Sequence, residues 1–257
     1  MIGRRQRFRH RPDPIVPHKG PLPAEGEIGA IIGGKSGAIR AAIFGVNDGL
    51  VSNLSLIMGV AGARVSPEFI LLAGVAGLLA GAFSMAAGEY LSMRVQRELF
   101  ERLIHLEAHE LGTDPEGETR ELADLLRKRG IPRHLAPQVA ESLMEDPAVA
   151  LDVHAREELG LDPEELGSPW GAAVWSFVTF ALGAFVPLAP YLFTEGVLAA
   201  WLAVGLALGA LFLVGAAMTM FTGRSPVISG GRMTLIGGAA ALVTYWVGRL
   251  LDVTALS

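Results

Sequence analysis

The chain has 257 residues, 51% of them hydrophobic and 18% charged, with 32 glycines and a mean hydropathy of +0.43. A chain this apolar is a membrane protein rather than a soluble domain, and its glycines suit closely packed membrane helices. It has no cysteine, which excludes disulfides and thiolate metal sites, and its net charge of −5 is unevenly spread, with arginine at the start, acids in the middle and little charge elsewhere.

Residues 1–36 read as a basic, proline-rich tail in which Arg4, Arg5, Arg7, Arg9, Arg11 and Lys19 alternate with Pro12, Pro14, Pro17, Pro21 and Pro23. The basic-then-apolar order of a secretory signal is missing. A cytoplasmic arm that touches anionic membrane lipid is expected instead. No nucleic-acid motif accompanies the basic run, and no nucleic-acid partner is expected.

Residues 39–63 are long and apolar enough to span a bilayer, which takes about 20 residues, yet they carry Asp48. An ionisable group inside a span costs roughly 2.5–3.5 kcal/mol on insertion scales and therefore marks a functional site by default. The two readings of Asp48 are hydration near the interface and neutralisation by a passing cation or proton. A turn with Arg64, Ser66 and Pro67 leads to a second span from Phe69 to Tyr90, in which Ala73, Gly77 and Gly81 form a small-residue stripe. Met85 and Glu89 stand one turn apart on the same helix; a thioether beside a carboxylate suits a borderline-soft divalent ion, although a methionine taken alone is more often ordinary packing.

From Ser92 the pattern becomes amphipathic with no proline or glycine until Gly112, so the second span is expected to leave the bilayer as one long helix. Further helices are expected over 115–129, started by Asp114-Pro115, over 132–145 and over 147–159. Residues 94–165 hold 18 of the 26 acids, which makes them a polar helical insert. Three more spans follow, over 170–192, 197–220 and 227–250, with Pro187 and Pro190 expected to kink the far end of the first of them. The fold class is therefore an all-α membrane protein with five transmembrane helices and a cytoplasmic helical metal-binding insert between helices 2 and 3. The units are the tail 1–36, helices 1–2 over 37–93, the insert 94–166 and helices 3–5 over 167–257. Positive charge in the short flanks puts the N-terminus and insert in the cytoplasm and the C-terminus outside.

Within the insert, Glu107 and Glu110 are one turn apart, as are Glu118 and Glu121. Two such pairs facing each other repel unless a cation sits between them, and Fe²⁺ or Mn²⁺ suits such a site. His154 and Glu158, four apart on the last insert helix, can complete the shell, and the imidazole extends the range to Co²⁺ and Zn²⁺. His105 and His109 lie one face over. The alternative is that these acids are a solvated helix face.

The strings Phe44-Gly45-Val46-Asn47-Asp48-Gly49-Leu50-Val51-Ser52, Gly81-Ala82-Phe83-Ser84-Met85-Ala86-Ala87-Gly88-Glu89-Tyr90, Arg156-Glu157-Glu158-Leu159-Gly160 and Gly167-Ser168-Pro169-Trp170 resemble the vacuolar iron transporter family, in its bacterial type. The resemblance runs from Ser36 to the end. It implies a five-span homodimer, not an enzyme, that moves Fe²⁺ or Mn²⁺ out of the cytosol in exchange for protons, with no permanently bound cofactor. It also implies a path between protomers lined by Asp48 and Met85 and metal-binding glutamates at Glu107, Glu110, Glu118, Glu121 and Glu158; His154 stands where plant members carry methionine. Glu89, beside Met85 on the same helix, is expected from its own chemistry to join Asp48 in carrying protons. A prokaryotic plasma membrane is the expected location. The alternative function is a membrane-anchored iron buffer or ferroxidase, for which the insert's Glu-x-x-Glu pairs are an imperfect di-iron motif.

Overall fold

A computed structural model describes residues 35–164 and 166–251; the basic tail expected over the first 36 residues lies almost wholly outside them. Among the described residues there are helices and no strands. In chain order they are α1 (Lys35–Gly62), α2 (Pro67–Thr113), α3 (Pro115–Lys128), α4 (Ala136–Met144), α5 (Pro147–Glu157), α6 (Pro169–Leu188), running into a 3₁₀ turn (Ala189–Leu192), α7 (Gly196–Ala217), α8 (Thr219–Thr222) and α9 (Pro226–Leu250). Five of them, α1, α2, α6 with its 3₁₀ turn, α7 and α9, are long and apolar enough to cross a membrane.

The span that carries Asp48 is the central one. α1 packs against α2, α6, α7 and α9. Leu50, Leu54 and Ile57, spaced along one side of α1, are fully buried. Leu50 and Leu54 join Ala207 and Leu211 of α7 and Ala241 of α9 in one core cluster, while Ile57 joins Leu188 and Tyr191 in another. On its other side α1 approaches α6 backbone to backbone. A Cβ on Gly49 would collide with the Phe180 carbonyl oxygen and lie 2.8 Å from the Ala184 amide nitrogen. Gly183 is closed in the same way by the Val46 carbonyl. Small residues at such crossings replace the hydrophobic drive that lipid cannot provide.

α2 is one unbroken helix of 47 residues, about 70 Å long, and more than twice the roughly 30 Å thickness of a hydrocarbon core. Its apolar part ends near Tyr90, whose ring stacks against Trp170 at the start of α6 with centroids 4.9 Å apart. Such aromatics mark the membrane–water interface. Just beyond, Arg94 pairs with Glu98 and Arg97 with Glu101, each at 2.7 Å. These charges place the remainder of α2, Glu107 included, outside the hydrocarbon.

The insert has its own core of Leu122, Ala123, Leu126, Ala136 and Ala140. Asp114 caps α3 by accepting from the Gly117 amide at 3.0 Å, and Asp146 caps α5 by accepting from Ala148 at 2.8 Å. One helix start differs from expectation: the helix foreseen over 132–145 begins at Ala136 instead. Pro137 has no amide hydrogen and is accommodated only in a first helical turn, so Pro132 begins a separate turn that the Leu135 amide closes. Pro187 and Pro190 act as expected, ending α6 and turning the chain through the 3₁₀ segment.

The α1–α6 contact predicts an asymmetric response to small substitutions. Gly49→Val should cost about 3 kcal/mol, because the obstacle is backbone that cannot rotate away. Gly205→Ala, with nothing within 4 Å of its new methyl, should be neutral. Thermal unfolding of the detergent-solubilised chain checks both.

Candidate metal centre

Three elements of the insert converge on one imidazole. His154 of α5 is fully buried, and its Nδ1 lies 3.0 Å from Glu107 Oε1 of α2, 3.6 Å from Glu118 Oε2 of α3 and 3.7 Å from Glu158 Oε2 just past α5. One donor atom from each of these four residues lies within 4.8 Å of every other. Donors that share an ion at about 2.2 Å are separated by about 3.1 Å at right angles and about 3.6 Å at tetrahedral angles, so the spacing fits a common cation. Neither His154 nitrogen nor Glu107 Oε1 has a hydrogen-bond partner. Buried polar atoms left in that condition call for an explanation, and a shared ion supplies one for His154 Nδ1 and Glu107 Oε1.

Local structure holds the donors in place. Glu107 is only 3% exposed despite its charge. α5 stops because Gly160 adopts φ +66°, where other residues are strained. Arg156 then grips both Asp152 and Asp162, which closes the turn that carries Glu158. That guanidinium and the Glu164 amide hold the Asp162 carboxyl below its ordinary range.

Electrostatics at the cluster run the other way. The Glu107 carboxyl is pushed up from 4.5 to about 7, first by burial and then by the charges of Glu158, Glu118, Glu110 and Glu121. Glu118 is also raised, by burial first and then by Glu121, Glu158, Glu110 and Asp114. Of the six residues expected at the metal site, Glu107, Glu118, His154 and Glu158 thus come together. Glu110 and Glu121 stay exposed at the rim, close enough to add negative potential. His105 and His109 are exposed elsewhere on α2.

A second polar site lies inside the membrane region. A cleft of about 200 Å³ is lined by Asp48, Ser52 and Asn53 of α1, Ser84 and Met85 of α2, and Phe180 of α6. Asp48 and Met85 are half-buried and share this space. Glu89 is half-buried one turn from Met85 but is not part of the cleft wall. Gly77 and Gly81 of α2 keep the wall thin, since a Cβ at either would run into Leu56 or Phe180. Ser52, Asn53 and Ser84 escaped the sequence reading. Ser52 was detectable, one turn from Asp48, whereas Asn53 is one of two asparagines in an apolar run and no spacing singles it out.

Because the folded chain holds the Glu107 proton up to about pH 7 and the unfolded chain releases it near 4.5, the folded state binds more protons in between, and ion-free stability should fall as pH rises across that window. Glu107→Gln should flatten this dependence. Mn²⁺ should raise the melting temperature most above pH 7, where the carboxylates are free to bind it. Melting curves in detergent from pH 4.5 to 8, with and without Mn²⁺, check all three.

The VIT family model matches residues 39–249, nearly the whole described chain. Among its relatives, vacuolar iron transporter 1 of Arabidopsis thaliana is 33% identical over 215 residues, covering 83% of this chain and 86% of the relative. The vacuolar iron transporter of Acanthamoeba castellanii is 34% identical over 228 residues, covering 87% and 82%. That of Toxoplasma gondii is 29% identical over 228 residues, covering 83% and 74%. With five helices fit to cross a membrane and an acidic centre fit for a cation, the chain belongs to the VIT family of vacuolar iron transporters and is an integral membrane protein.

Proposed function

We propose that this chain exports Fe²⁺ or Mn²⁺ from the cytosol in exchange for protons. The observation that carries the reading is the convergence of Glu107, Glu118 and Glu158 on His154, three carboxylates and an imidazole with no Lys or Arg paired to them among the described residues. Imidazole with carboxylates suits Fe²⁺, Mn²⁺, Co²⁺ and Zn²⁺ over Ca²⁺ and Mg²⁺. The relatives named as iron transporters favour Fe²⁺ among these. In this reading the insert captures the ion, with Glu110 and Glu121 drawing it in, and passes it to Asp48 and Met85 in the membrane cleft.

Proton exchange follows from the chemistry of the donors. A carboxylate binds metal when deprotonated, so each ion that enters competes with protons for the same oxygens. Asp48, assisted by Glu89, is the group that carries protons back. The protein works as a homodimer, with the Asp48 cleft completed at the seam between protomers. The insert faces the cytoplasm of a prokaryotic cell and the C-terminus lies outside. Arg94, Arg97, Arg102, Arg224 and Arg232 on the insert side, against Arg64 and Arg249 on the other, support that orientation.

In proteoliposomes with an imposed pH gradient, Mn²⁺ or Fe²⁺ uptake should drive opposite movement of protons, read with an internal pH dye. Asp48→Ala should reduce both fluxes to the level of protein-free liposomes while leaving the assembly state unchanged on gel filtration. Metal flux without proton movement contradicts the exchange. Oxidation of Fe²⁺ by the full chain without any flux favours the membrane-anchored ferroxidase instead.

A further inference from the structure

Asn53 is one of the buried polar side chains of the membrane spans that the proposed mechanism does not yet use. It is 2% exposed, on α1, five residues after Asp48. Its Nδ2 donates to the Ala184 carbonyl of α6 at 2.7 Å. That bond settles which way the amide points, because the reverse orientation would set oxygen against oxygen. Oδ1 is consequently turned away from α6. It has no hydrogen-bond partner, and it lies 3.0 Å from the position a Cβ on Gly77 would take. Gly77 is a wall of the same cleft as Asp48, Ser52 and Met85. The glycine leaves room for the oxygen, and the hydrogen bond to α6 holds it there.

We infer that Asn53 supplies a neutral amide oxygen to the ion in the membrane cleft, beside the Asp48 carboxylate and the Met85 thioether, and so tunes which divalent ions pass. The inference rests on the transport reading above and deepens it. A thioether alone draws soft ions, and a carboxylate alone does not separate Mn²⁺ from Mg²⁺. An added hard oxygen moves the donor set toward Mn²⁺ and Fe²⁺ and away from Cd²⁺. Being neutral, it adds a ligand without adding a second carboxylate to the low-dielectric interior, where charge is costly. The amide donor half, spent on Ala184, is what makes the oxygen half a positioned ligand.

Full-length protein in proteoliposomes tests this with Mn²⁺ and Cd²⁺ as separate probes, using wild type, Asn53→Ala, Asn53→Asp and Asp48→Ala. Asn53→Ala should slow Mn²⁺ uptake about tenfold, the scale seen when a group supporting a metal site is lost, while Cd²⁺ uptake falls by much less. Asn53→Asp as the neutral acid, whose O–H donates to the Ala184 carbonyl in place of the N–H and leaves its other oxygen toward the cleft, should restore most Mn²⁺ uptake. Equal loss of both ions in Asn53→Ala, with Asn53→Asp no better, overturns the inference and leaves the amide as a tie between α1 and α6. Unchanged uptake in Asn53→Ala overturns it too. If Asn53→Ala does not assemble, Asn53→Asp alone decides: retained Mn²⁺ selectivity supports the ligand role, and its loss refutes it. Failure of the underlying transport reading is visible separately, as no flux in wild type or full flux in Asp48→Ala, and it removes the inference with it.

Discussion

Like charges held together by packing are the constraint on which the rest of this structure turns. Glu107, Glu118 and Glu158 bring oxygens within 4.8 Å of one another and of His154. Two carboxylates at that range repel by roughly 3–4 kcal/mol at an effective dielectric constant near 20, so three of them form an arrangement that apolar packing alone would not favour. The insert brings them together because α3, α4 and α5 have a core of their own around Leu122, Leu126 and Ala140, and because α5 rests on α2. The upward displacement of Glu107 to about 7 comes first from its burial and then from this same repulsion. A site that holds its protons near neutral pH and releases them to a divalent ion is suited to exchange rather than permanent storage.

The length of α2 links this centre to the membrane. One helix carries Met85 at the cleft and Glu107 at the acidic centre, 22 residues apart along an axis that rises about 1.5 Å per residue, roughly 33 Å. With no break between them, the two sites keep a fixed separation and rotational phase. α1 answers from the other side. It packs against all four other spans, with Asp48, Ser52 and Asn53 on the stretch that faces the cleft and Leu50, Leu54 and Ile57 packed away from it. Glycines on α1, α2 and α6 thin the walls where those polar groups meet.

Much of this was legible in the chain itself. The five spans follow from hydropathy, and the unbroken exit of α2 follows from the lack of proline or glycine between Ser92 and Gly112. The caps at Asp114 and Asp146 follow from an acid placed before a first-turn proline. The start of α4 was misplaced because Pro132 looked like a first-turn residue, when Pro137 is the one whose missing amide hydrogen decides the boundary. Within the site, helical spacing offered Glu107 with Glu110 and Glu118 with Glu121 as equals. It could not say which member of each pair turns inward, since that depends on how α3 and α5 cross α2, which the insert core sets. Asn53 was hidden for a different reason. Asn47 and Asn53, six apart in an apolar run, share no helix face, and the importance of Asn53 appears once Ala184, 131 residues later, is seen to take its N–H.

The central claim is that the carboxylates around His154 tolerate one another because a divalent ion joins them. Anomalous diffraction at the manganese edge, on crystals of the full chain grown with Mn²⁺, addresses it directly. The account predicts a peak about 2.0–2.3 Å from His154 Nδ1 and from one oxygen each of Glu107, Glu118 and Glu158. A manganese-saturated crystal with no peak there, and with His154 hydrogen-bonded to Glu107 instead, would contradict it.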